Sequence, residues 1–178
     1  ASSTTAIINS SDLSSTNNTG SYNGAVYVFT RTGTTWSHQA YLKAPNSSSI
    51  DFFGTSVSIS GDTIAVGTGN EASTTTEIIN GSDLSSTNNT GSYNGAVYVF
   101  IRTGATWSHQ AYLKAPNNSN NDSFGSSLSI FGDTIAVGAP GEPSTTTEII
   151  NSSDLSSTND SGYQNGAVYV FVRIGTTW

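Results

Sequence analysis

Oxygen donors suited to a hard cation recur along this chain. Asp83 stands among Asn80, Ser82, Asn88 and Asn89, and Asp12 and Asp154 repeat the arrangement. Calcium takes about six to eight oxygens from carboxylates, amides and backbone carbonyls, so such a segment carries the right atom types. An Asp in a Ser/Asn-rich turn also serves by accepting backbone N–H bonds, and the sequence leaves both readings open. Asp160 stands where the preceding copy has Asn89 and adds a second carboxylate near Asp154. Asp83, Asp154 and Asp160 are therefore the calcium candidates, and calcium is the one cofactor the residues raise.

A second set of polar residues points to binding rather than chemistry. Asp51 and Asp122 stand just ahead of Phe-Gly steps, and with Asn80 and Asn88 they are candidates for a polar surface built from loops. His38 and His109 recur once per repeat, with no His pair or Glu–His spacing of the zinc kind, and read as packing or hydrogen-bonded residues. Ser is abundant, but no Gly-x-Ser-x-Gly elbow occurs. A nucleophile needs a base within reach, and equivalents in separate repeats do not provide one. The expectation is that this segment is not an enzyme.

Composition narrows the partners. A net charge of −7 and a pI near 4.3 argue against nucleic acid, because phosphate binding needs clustered Lys and Arg. Cysteine is absent, which removes disulfides and thiolate metal sites. No run of 18 apolar residues appears, so membrane insertion of this segment is not expected. Abundant Ser, Thr, Asn and Gly with few charges suggest an extracellular or cell-surface setting. Ala1 falls inside a repeat with no charged-then-apolar leader ahead of it, which reads as a mature piece or an excised fragment.

The elements that position these residues are repeats. Gly24, Gly95 and Gly166 open the same run, GAVYVF, and 95 − 24 and 166 − 95 are both 71. Trp36, Trp107 and Trp178 keep that step, so the chain holds about two and a half copies of one unit that must stack to close a core. The boundaries fall at 1–52, a partial repeat with a long loop and strands three and four; 53–123, a complete repeat; and 124–178, with strands one to three.

Within the complete repeat, Ser56–Ser60 alternates as a strand and turns at Gly61-Asp62 into a second strand at Thr63–Gly67. Ala96–Ile101 reads as the third strand, and Trp107–Ala115 as the fourth. The third is apolar on both faces, which requires a sheet above and below, as in the blades of a β-propeller. The fourth alternates Ser108, Gln110, Tyr112 and Lys114 on one face, which reads as an outer rim with Lys114 guarding the edge. A long loop, 69–94, separates strands two and three. Ile78-Ile79 and Leu84 give it apolar anchor points and predict an ordered excursion. The fold class is thus all-β, with propeller blades of four antiparallel strands.

Phe53-Gly54, Val66-Gly67-Thr68-Gly69 and the GAVYVF run, then Phe124-Gly125 and Val137-Gly138-Ala139-Pro140, resemble the FG-GAP repeat. That family builds the propeller of integrin α subunits and of many bacterial surface proteins, so the resemblance implies a propeller and an adhesive role. Its calcium loop does not carry over to Asp62 or Asp133, since a two-residue turn with one carboxylate cannot supply enough oxygens. The expected function is a surface module that binds a protein or glycan through polar loops on one face. The alternative is a structural segment of a fibre or oligomer, self-associating through open blade edges.

Overall fold

The computed structural model describes residues 5–16, 19–152, 154–155 and 158–178, and these contain no helix. β-Branched and aromatic runs form strands, and Gly-containing pairs turn them. The first repeat contributes β1 (Val26–Thr32) and β2 (Thr35–Leu42). The middle repeat supplies β3 (Ser56–Ser60), β4 (Thr63–Thr68), β5 (Ile79–Asn80), β6 (Ala96–Thr103) and β7 (Thr106–Leu113). The third gives β8 (Ser127–Phe131), β9 (Thr134–Ala139) and β10 (Ala167–Val172).

Every strand pairing within these sheets is antiparallel. The middle sheet runs β3-β4-β6-β7-β5 and so has five strands where four were expected. The extra strand comes from the long loop. Ile79 and Asn80 lie opposite Tyr112 and Ala111, and Leu84 is buried against the first core. The loop is an ordered flap along the outer edge.

A bulge in β7 changes which residues share a face. Phe100 lies opposite His109 and Val99 opposite Ala111, leaving Gln110 as the extra residue. The simple alternation through Ser108, Gln110, Tyr112 and Lys114 therefore fails. His109 and Tyr112 join Tyr98 and Phe100 on one face, while Ala111 and Leu113 join Val97 and Val99 on the other. Lys114 is wholly buried rather than on the rim, because Glu71 and two backbone carbonyls receive its ammonium.

The three sheets pack face to face, and both cores lie between them. Val26, Val28, Ala40 and Leu42 of the first sheet meet Ile64, Val66, Tyr98, Phe100 and Trp107 of the middle one. The middle sheet's reverse face, Ala65, Val97, Val99, Ala111 and Leu113, meets Phe124, Ile135, Val137, Phe171 and Trp178. Burying each such large side chain stabilises the stack by about 1.5–3 kcal/mol. Serines of β3 tie the sheets at their inner edge: Ile130 N–H donates to Ser58 Oγ at 3.2 Å, and Ser56 Oγ–H donates to the Gly125 carbonyl at 2.7 Å.

The recurring glycines mark where the repeats touch backbone to backbone. Gly95 bridges to Phe124, as Gly24 does to Phe53. Its φ is +81°, and a Cβ there would lie 2.0 Å from the Phe124 carbonyl oxygen. Only glycine satisfies both demands. The Phe-Gly step and the glycine that opens GAVYVF are two halves of one contact.

Candidate functional site

The loop that follows β2 and the long flap of the next repeat form a groove where the first and middle repeats meet. Ser48, Ser49, Ile50 and Asp51 line one side, and Asn70, Ala72, Asn89, Gly91, Ser92 and Tyr93 the other. It encloses about 270 Å³. The loop is held from below by a ladder: Ile50 N–H donates to Ser21 O, Phe52 N–H to Tyr22 O and Phe53 N–H to Asn23 O. The ladder forces Ile50 to a φ of 73° and Phe52 to 55°, a left-handed conformation that β-branched and bulky residues resist. In the next repeat Asn121 takes the place of Ile50, with a φ of 70°.

Beneath the groove lies a polar network that crosses from one repeat to the next. Tyr98 donates to Asn46 Oδ1 at 2.6 Å, and Asn46 Nδ2 donates to Thr87 Oγ1 at 3.2 Å and Glu71 Oε1 at 3.4 Å. Glu71 Oε2 accepts from Ser73 N–H at 3.0 Å and from Lys114 Nζ at 3.2 Å. Tyr169, Asn117, Glu142 and Thr158 repeat the same chain one step on. Lys114 and Glu71 are both fully buried. Burial pulls the Lys114 ammonium below its ordinary range, and the Glu71 carboxylate opposes that pull.

Asp51 is buried at the groove wall. Ser48 N–H donates to its Oδ2 at 2.6 Å. Burial pushes this carboxyl up to about 7; the Ser48 bond opposes the rise and the Glu71 charge adds to it. Asp122 repeats the arrangement through Ser119 at 2.6 Å. Burial raises it to about 6, with Glu142 and Asp160 acting in the same direction.

The remaining sequence-predicted residues are dispersed. Asn80 reaches into the next repeat, where Trp178 N–H donates to its Oδ1 at 2.9 Å. Asn9 does the same for Trp107 at 2.7 Å. Asn88 Oδ1 accepts from Thr74 N–H at 3.1 Å and Thr90 N–H at 3.2 Å, which folds the flap beside Asn89. Asp83 Oδ1 accepts from Ser85 N–H at 3.0 Å, which holds its carboxyl below the usual range. Asp154 N–H donates to Ser152 Oγ at 3.0 Å. Asp160 Oδ2 accepts from Ser119 Oγ–H at 3.4 Å, which places it by the Asp122 loop. Among the described residues no three His, Cys, Asp or Glu side chains gather as a metal set.

His109 packs edge-on to Tyr98 and Phe100, and its Nδ1 lies 2.9 Å from the Gly81 carbonyl. Burial drives the imidazole down to about 4. Sequence reading passed over Glu71, Glu142 and the buried role of Lys114. The signal was present, since Glu71 and Glu142, like Lys43 and Lys114, stand one repeat apart.

The FG-GAP repeat model matches residues 36–100 and 107–171. Each match begins at the Trp of one sheet's outer strand and ends in the following sheet's third strand, so the family unit straddles the interface between sheets. No curated protein and no solved structure matches the chain.

Proposed function

The chain belongs to the FG-GAP repeat family, and from that premise we propose an extracellular or cell-surface binding module whose polar loop face takes a protein or glycan partner. The groove between the Ser48–Asp51 loop and the next repeat's flap carries this reading. Hydroxyl, amide and carboxyl groups line it, and Tyr93, half exposed, offers a ring beside them. A few convergent polar groups beside an aromatic face suit a polyhydroxylated ligand or a polar peptide segment. The strained Ile50 backbone supports the reading, because such conformations concentrate where a surface is shaped for recognition.

The module binds rather than reacts. Its groove carboxyl, Asp51, has a copy in the next repeat, Asp122, as expected of a surface repeated for contact. Calcium enters only as a condition of the test. The intact chain is applied to a glycan array and used as bait for surface proteins, with calcium and with chelator. Binding that falls at least about tenfold in Tyr93→Ala and Asn70→Ala, about 1.4 kcal/mol, is the expected result. Binding unmoved by either substitution, or none in either condition, defeats the proposal.

A further inference from the structure

Two apolar side chains stand on opposite walls of the groove between the first and middle repeats. Ile50 is 51% exposed and Tyr93 47%, and both lie within a complete joint between two repeats. In the next repeat the same positions carry Asn121 and Gln164. The strands beneath do not change in this way: β2 and β7 both read TWSHQAYL. Both walls are held in a left-handed backbone, with a φ of 73° at Ile50 and 54° at Tyr93. That conformation penalises a β-branched residue, and a side chain left half exposed gains little burial in return. Asn121, with a φ of 70°, shows that the loop folds without Ile at this place. What Ile50 adds is an apolar surface in the groove.

We propose that this groove takes one pyranose ring of a neutral glycan between Tyr93 and Ile50; the inference rests on the binding-module reading above and narrows its partner. A pyranose carries C–H bonds on its faces and hydroxyls around its edge. The C–H faces pack on the Tyr93 ring, whose π face is negative, and on the Ile50 side chain. The hydroxyl edge needs donors and acceptors that the fold has not already engaged. Among the described residues the side-chain amides of Asn70 and Asn89 have no hydrogen-bond partner, whereas those of Asn46 and Asn88 hold the flap. The enclosed volume of about 270 Å³ lies just below the roughly 300–1,000 Å³ of small-molecule pockets, which suits a single ring. Charge selects neutral sugars. Among the described residues no Lys or Arg lines the groove, while the Asp51 carboxyl does. A uronic or sialic carboxylate would meet that acid with no counter-ion beside it.

The intact chain is titrated with the methyl glycosides of glucose, galactose, mannose and N-acetylglucosamine, and with methyl glucuronide as the acidic counterpart. NMR follows the Ile50 methyls and the Tyr93 ring. At least one neutral glycoside should shift both residues saturably and bind at least about tenfold more tightly than the glucuronide. Ile50→Asn and Tyr93→Gln should each weaken that glycoside about tenfold. Neither should unfold the chain, since the next repeat holds Asn121 and Gln164 in the same left-handed conformation. No shift with any glycoside, shifts that miss Ile50 and Tyr93, glucuronide bound equally well, or full affinity in either variant would each overturn the proposal. A surface protein captured through Tyr93 and Asn70, with no glycoside bound, would also overturn it while leaving the binding-module reading standing. Capture of neither kind of partner would remove both.

Discussion

At Ile50 the demands of the ladder and the preferences of the side chain conflict. The loop requires a left-handed residue at that position, and the next repeat meets the requirement with Asn121. Asn tolerates this conformation and a β-branched residue does not. Ile50→Asn should therefore raise the unfolding free energy by about 1 kcal/mol, read as a higher denaturant midpoint with an unchanged slope. No gain would mean that the half-exposed Ile50 side chain offsets its own strain. The groove carboxyl Asp51 and its copy Asp122 give a second test at this scale. Asp51 titrates near 7 in the fold against 3.8 when unfolded, and Asp122 near 6. Their stabilising contributions are full below pH 3.8 and disappear as pH rises through those values. His109 acts oppositely: its folded value near 4 lies below 6.5, so its contribution is full above 6.5 and lost as pH falls through 4. Two carboxyls outweigh one imidazole, and stability should fall between about pH 4 and pH 7. In Asp51→Asn/Asp122→Asn only His109 remains, and the slope over that range should reverse sign. A slope of the same sign in parent and double variant would refute the assignment.

Among the elements, β6 and β7 show what the sequence discloses and what it conceals. The strands were legible because apolar alternation and Gly turns are local signals, and β6 announced burial on both sides through Val97, Val99, Tyr98 and Phe100. The bulge at Gln110 was not legible, since a polar residue on a rim strand fits simple alternation as well. Only the pairing with β6 reveals the shift, and only the neighbouring sheet gives its reason: Gln110 Oε1 accepts from Trp178 Nε1–H at 3.0 Å. Lys114 misled for the same reason. Its partner Glu71 stands 43 residues earlier on the far side of the flap, beyond any local pattern. That pair makes a sharp prediction. Lys114→Met leaves the Glu71 carboxylate buried without its cation and should cost about 3–5 kcal/mol. Adding Glu71→Gln removes the orphaned charge and should restore part of the loss. Recovery stays incomplete, because the Ser73 and Gly95 carbonyls also lose the Lys114 donor. Thermal melts of the two variants decide the matter: a double variant no more stable than Lys114→Met would mean that the pair's electrostatics are not what holds the flap.

For the whole stack, stability is a sum over interfaces rather than over sheets. The middle sheet is covered on both faces, and each outer sheet on one. β1, β6 and β10 carry nearly the same sequence, so any difference in their protection comes from neighbours and not from propensity. Amides of β4 and β6 should therefore exchange with solvent at least about tenfold more slowly than those of β1 and β10. Uniform protection across the three strands would mean that the sheets open together. The stack would then be one cooperative body, and its end faces would be no weaker than its centre.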